Sequence, residues 1–163
     1  MDRLDQLESQ SIFIFREAFN RMGNMAMLWS LGTDSTFMFW SARKAFFGNV
    51  PFPVMHVDTE KKFPEMYEFR DRYAAEWNLN FIRELCPPIE DIDDTLPPAA
   101  RSAARKTAGL KKAIEKHKFN ALFAGIRRDE EATRAKERVF SPRGATGQWD
   151  FRDQPPEFWD QFK

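Results

Sequence analysis

Three hydroxyls, one glycine and one carboxylate fall within the run Ser30, Leu31, Gly32, Thr33, Asp34, Ser35, between a short apolar stretch and an amphipathic one. This mixture suits an anion. A glycine-containing turn that opens a helix aims unpaired backbone N–H groups and the positive end of the helix dipole at one point, as a phosphate requires. Gly32 would let the backbone approach closely, and Ser30 and Ser35 offer hydroxyl donors. Beside a polyphosphate, Asp34 would hold Mg²⁺, an ion that favours oxygen ligands and sheds its water reluctantly. The same residues also suit an ordinary strand-to-helix turn capped by Asp34 or Ser35. The six residues alone leave both readings open.

Two further clusters have chemical potential. Asp58 ends the apolar run 52–57 and is a second candidate for metal or nucleotide contact, or simply a carboxylate at a loop start. Gly125, Arg127 and Arg128 follow the apolar run 121–124. Paired arginines at such a place can make bidentate contacts to phosphate or another tetrahedral anion. The charged stretch 127–138 also reads as a solvated helix, with Glu130 and Arg134 four residues apart. His56 and His117 are the only histidines and lie in core-facing positions. No Ser-His-Asp or Cys-His arrangement is in view, so nucleophilic hydrolysis is not expected.

Periodicity supplies the elements that must position these residues. Residues 2–21 read as an amphipathic helix, 25–29 as a buried strand, and 37–47 as a helix so apolar that it should be well buried. Then come a strand at 52–57, a helix at 63–77 and a strand at about 80–85. A proline-rich loop spans 86–98, followed by a basic helix at 102–118 and a strand at 121–124. Strand and helix alternate with connections long enough for crossovers, which predicts an α/β fold: a parallel twisted sheet of about four to five strands flanked by helices. Ligands of such sheets sit at the carboxyl ends of the strands, and residues 30–35, 56–59 and 125–128 all fall there. A domain at 1–140 is expected, with an irregular tail at 141–163. The tail's Trp149, Phe151, Phe158, Trp159 and Phe162 would pack on the core or on a partner.

Composition narrows the classes. With 163 residues, 42% apolar, 31% charged and a formal net charge of zero, the chain suits one domain, and nothing global points to nucleic acid or an anionic membrane. The single Cys86 rules out an internal disulfide framework and a CxxC pair. The polar, acidic start is unlike a signal peptide, and no apolar run approaches the ~20 residues that span a bilayer. A cytoplasmic protein is expected, with no nucleic-acid or membrane partner.

With the strand ends assembled, the chain resembles the PP-loop ATP pyrophosphatase superfamily, in the broad group of the phosphoadenosine phosphosulfate reductases. Within it, the closest likeness is to the small-subunit family of bacterial sulfate adenylyltransferases. The likeness is carried by Ser30-Leu-Gly-Thr-Asp-Ser35, Pro51-Phe-Pro-Val-Met-His-Val-Asp-Thr59, Lys62-Phe63 and Glu65-Met-Tyr-Glu-Phe-Arg-Asp71. It continues through Lys106-Thr107, Gly109-Leu-Lys111, Arg127-Arg-Asp-Glu-Glu131, Arg134-Ala-Lys-Glu-Arg138, Gln148-Trp-Asp150 and Pro156-Glu-Phe-Trp159.

The resemblance implies adenylyl transfer from ATP to sulfate, giving adenosine 5′-phosphosulfate and pyrophosphate. It implies ATP and Mg²⁺ as cofactors, with Asp34 as the metal ligand. Residues 30–35, Asp58 and Gly125 would bind nucleotide, and Arg127, Arg128 and Asp34 would act in catalysis. It further implies a larger GTPase subunit as partner; self-association is a second way to complete the assembly.

Three differences stand out. Thr33 occupies a place where the family commonly has Lys, Glu60-Lys61 replaces Gly-Trp, and residues 87–105 depart from the pattern. Family chains run beyond the equivalent of Lys163, so a shortened, non-catalytic nucleotide-binding or complex-forming subunit is the alternative expectation. A reductase is the less favoured one, because its nucleophilic cysteine would lie after Cys86 and none does.

Overall fold

The structure is a computed structural model and describes residues 2–130, 132–144, 147, 149, 150 and 152. Four strands form one parallel sheet: β1 (Met25–Leu28), β2 (Val54–Asp58), β3 (Phe81–Leu85) and β4 (Ala121–Phe123), in the order β3-β2-β1-β4. The helices are α1 (Arg3–Arg21), α2 (Thr33–Ala45), α3 (Pro64–Glu76) and α4 (Pro98–His117). The chain steps from β1 to β2 to β3 through α2 and α3. It then returns through α4 to the other side of β1, so the strand order reverses there.

Side chains alternate across the sheet as a pleat requires. One face carries Ala26, Leu28, Met55, Val57, Ile82 and Leu122 against Ala113 and Leu110 of α4. The other carries Trp29, whose ring meets Phe39 of α2, Phe69 of α3 and Phe81 at 5.3, 6.0 and 6.3 Å between centroids. On that same side Phe15 of α1 packs edge-on against Phe123 at 5.1 Å, and Phe19 against Phe46 at 5.4 Å. Helices for the outward steps lie on one face and the helix for the return lies on the opposite one, as a constant crossover hand demands.

The α/β fold and parallel sheet expected from periodicity are present, with four strands among the described residues. Three details differ. The fourth helix begins at Pro98 rather than near 102, because proline at the first helical position has no N–H to lose and a φ already suited to the turn. The second helix is not buried all round: Phe37 is 66% and Trp40 47% exposed. The stretch 127–138 forms no α-helix among the described residues, only a 3-10 turn at Ala132–Arg134.

The chain divides into two compact units, Met1–Ala124 and Gly125–Lys163. Of the aromatic tail, Phe151, Phe158, Trp159 and Phe162 lie outside the described residues. Within the second unit the Arg143 guanidinium sits 4.7 Å from the Trp149 ring centre. Among the described residues no helix is long and apolar enough to cross a membrane.

Candidate functional site

The apolar run of β1 ends in Trp29, which is fixed from three sides. Its N–H donates to Met55 O at 2.8 Å, its indole N–H to Thr36 Oγ1 at 3.1 Å, and its carbonyl accepts from His56 Nδ1 at 2.7 Å. A carbonyl can only accept, so His56 carries its proton on Nδ1. Burial pushes the His56 pKa down, against opposing effects of the Trp29 carbonyl and Asp58, and the ring stays neutral. Its Nε2 is buried without a hydrogen-bond partner, 3.8 Å from Asp58 Oδ1.

From this anchor the chain enters the 30–35 loop. Leu31 adopts the left-handed conformation, φ 67°, at a cost of about 1–2 kcal/mol for a non-glycine residue. Ser30 Oγ and Ser35 Oγ lie 2.9 Å apart, Ser35 Oγ donates to Gly32 O at 3.1 Å, and Gly32 N–H reaches Ser30 Oγ at 3.4 Å. The two hydroxyls expected to face a phosphate are therefore engaged within the loop.

Backbone is what the loop offers outward. Gly32 is the N-cap of α2, with φ −82° and no side-chain cap, so neither Asp34 nor Ser35 plays the expected capping role. The first helical hydrogen bond from this turn is Thr36 N–H to Gly32 O at 3.0 Å. The N–H groups of Thr33, Asp34 and Ser35 are thus left without helical acceptors. Gly32, Thr33 and Asp34 are exposed, and Asp34 adds its carboxylate at the same end. A Cβ on Gly32 would meet nothing closer than Ser30 Oγ at 3.5 Å. Glycine is not required there by fold or φ, and its bare backbone leaves the approach to the turn open. An open groove of about 480 Å³ starts at Gly32 and Thr33 and continues past Phe37 and Trp40 to Phe69 and Trp77.

Asp58 ends β2 on the same sheet edge, fully buried. Oδ1 accepts from Glu60 N–H at 2.7 Å and Tyr67 Oη at 2.9 Å; Oδ2 accepts from Arg83 Nε at 2.8 Å and lies 3.5 Å from Arg70 Nη1. Burial alone would raise its pKa, but the Glu60, Arg83 and Tyr67 hydrogen bonds outweigh it and hold the carboxyl below the usual range. Both oxygens are taken by protein groups, so here Asp58 organises the strand end.

Sequence reasoning assigned no role to this shell, although the signal was present. Tyr67 and Arg70 are three apart on one helix face, and Arg83 is the register partner of His56, two residues before Asp58. Lys62 also went unassigned: its Nζ donates to Ser30 O at 3.0 Å.

In the second unit, Arg127 forks onto Asp129, with Nε–Oδ1 3.0 Å and Nη2–Oδ2 2.8 Å, and Arg128 Nε donates to Glu137 O at 2.7 Å. Gly125, Arg127 and Arg128 are exposed. The first unit thus brings Ser30, Leu31, Gly32, Thr33, Asp34 and Ser35 together beside Lys62 and Asp58. Gly125 and the two arginines belong to the other unit.

Comparison with known proteins bears on this geometry. A family model described as the phosphoadenosine phosphosulfate reductase domain matches residues 24–162. The chain is 47% identical, over 99% of its own length and 54% of the relative's, to sulfate adenylyltransferase subunit 2 of Pseudomonas fluorescens strain Pf-5. It therefore spans about half the length of the curated relatives it matches.

Among solved structures, a phosphoadenylyl-sulfate reductase from Candida auris superimposes with TM-score 0.58 and 16% identity, over 78% of this chain and 69% of that one. An ammonia-dependent NAD synthetase from Campylobacter jejuni gives TM-score 0.57 and 18% identity, over 80% and 59%. These two likenesses are of fold.

Proposed function

The chain belongs to the phosphoadenosine phosphosulfate reductase domain family, and from that premise we propose that it is the nucleotide-binding part of an ATP-dependent sulfate adenylyltransferase. In the reaction a sulfate oxygen bonds to the α-phosphorus of ATP and the bond to the bridging oxygen of pyrophosphate breaks. The products are adenosine 5′-phosphosulfate and pyrophosphate. The catalyst must hold two anions in line and offset charge that builds on the leaving group.

The 30–35 loop binds the β- and γ-phosphates through the N–H groups of Thr33, Asp34 and Ser35. Asp34 fits Mg²⁺ in the mode that ion favours, one carboxylate with substrate phosphates and water. Among the described residues no group of three or more His, Cys, Asp or Glu could form an all-protein cage. Asp58 keeps the end of β2 in register behind the loop. Arg127 and Arg128 are assigned to the α-phosphate or the sulfate, and Gly125 to the nucleotide. A larger GTPase subunit is the proposed partner, with a second copy of the chain as the other candidate, in the cytoplasm.

The observation that carries this reading is the uncapped first turn of α2 at the carboxyl edge of a parallel sheet. Thiol chemistry of the reductase kind is disfavoured because Cys86 is buried and burial pushes its pKa up. Incubating the protein with ATP, Mg²⁺, sulfate and a pyrophosphatase, with and without the large subunit, should give sulfate-dependent phosphate release. ATP binding with no such turnover in either mixture would instead assign the chain to a non-catalytic nucleotide-binding role. Asp34→Ala is expected to weaken ATP binding about tenfold or more in Mg²⁺. Unchanged binding would put the site elsewhere.

A further inference from the structure

The 30–35 loop carries one acid and no base, yet it is assigned the most highly charged part of ATP. Backbone N–H groups supply only partial charges. A full charge reaches the loop from another element, because Lys62 Nζ donates to Ser30 O at 3.0 Å.

The backbone of Lys62 is itself anchored. Its N–H points at Tyr67 Oη, 3.4 Å away, and that same phenol donates to Asp58. Residue 62 is therefore held to the Asp58 cluster while its side chain extends to the loop. Burial, together with the neighbouring Lys106, pushes the Lys62 pKa down, opposed by Asp58. The oxygens of Asp58 are occupied by Tyr67, Arg83, Arg70 and Glu60 N–H. Among the described residues, the Lys62 ammonium meets a neutral carbonyl and no carboxylate within ion-pair range. An ammonium has three donors, and the Ser30 carbonyl uses one.

Lys106 is placed by a separate device. The buried Arg105 donates to Pro87 O at 2.6 Å and Thr59 O at 3.0 Å, which pins this turn of α4 beside the chain that leaves β2. The exposed Lys106 then lies close enough to act on Lys62. Two like charges near each other, one of them half-buried on a neutral acceptor, gain most from an anion between or beside them.

We infer that Lys62 is a polyphosphate-binding residue, its ammonium joining the Ser30 carbonyl to the β- or γ-phosphate of a nucleotide held at the 30–35 loop. The inference rests on the reading of that loop as a nucleotide site. A merely structural lysine would tie the loop down and leave ligand charge irrelevant.

Isothermal titration of wild type, Lys62→Met and Lys62→Arg with ATP, AMP and inorganic pyrophosphate at fixed ionic strength separates the two roles. Lys62→Met should bind ATP and pyrophosphate about tenfold more weakly, with AMP affinity and urea midpoint unchanged. Lys62→Arg should recover most of the loss. Wild-type ATP affinity in Lys62→Met overturns the inference alone and leaves the nucleotide site standing. A joint fall in urea midpoint and in affinity for ATP and AMP alike also overturns it, as the mark of a structural tie. If wild type binds neither ATP nor pyrophosphate, the underlying reading of the loop fails and the inference falls with it.

Discussion

Asp58, itself fully buried at the end of β2, receives hydrogen bonds from a backbone N–H, a phenol and a guanidinium, with a second guanidinium at 3.5 Å. Arg70 keeps its bond to Asp71 and Arg83 is partly exposed, so Asp58→Ala should cost about 1–3 kcal/mol by urea denaturation, the range for lost hydrogen bonds to a charged group. Its pKa is lower folded than unfolded. Its stabilising contribution is therefore complete above the unfolded value, about 4, and is lost as pH falls through the folded one. Asp58→Asn should accordingly lose less stability than wild type between pH 6 and pH 3; an equal loss would contradict the lowered pKa of Asp58.

Gly32 tests the opposite kind of residue, one that the fold does not need. Gly32→Ala should cost at most about 1 kcal/mol as an N-cap change, yet weaken ATP binding about tenfold through lost approach to the backbone. A large stability loss with intact binding would contradict the assignment of this turn.

At the scale of elements, α4 is held to the sheet by close approach. A Cβ on Gly109 would lie 3.1 Å from Cys86 Sγ and Val57 Cγ1 and 3.2 Å from Cys86 Cα, and the last of these is backbone that cannot rotate away. Gly109→Val should therefore destabilise by about 1–3 kcal/mol as overpacking, read as a shifted denaturant midpoint with an unchanged slope. The strands and helices were legible because their signals are local: apolar runs at 25–28 and 54–57, and three-four spacing in α1 and α4. The start of α4 was hidden because prolines read as breakers, although proline suits a first helical turn. The outer aromatic face of α2 was read as core because ring count alone does not say which rings line a groove.

The site divides in the same way. The 30–35 loop was readable as one contiguous stretch, whereas the Lys62 contact joins residues 32 apart in sequence and exists only once β1 and β2 pair. The inward turn of Ser30 and Ser35 was equally invisible, since a hydroxyl's partner is set by loop conformation and not by composition.

At the scale of the whole molecule, four parallel strands put the 30–35 loop and the Asp58 shell on one sheet edge, and the order β3-β2-β1-β4 places the reversal beside β1. Open parallel sheets bind ligands at such a reversal. The central claim is that this edge receives a nucleotide through the first turn of α2. Its most direct test is a titration of the isotope-labelled protein with ATP and Mg²⁺, read by backbone amide chemical shifts. The account predicts that the largest changes fall on Gly32, Thr33, Asp34 and Ser35, with smaller ones at Lys62. Saturable ATP binding that leaves those amides unmoved would contradict it.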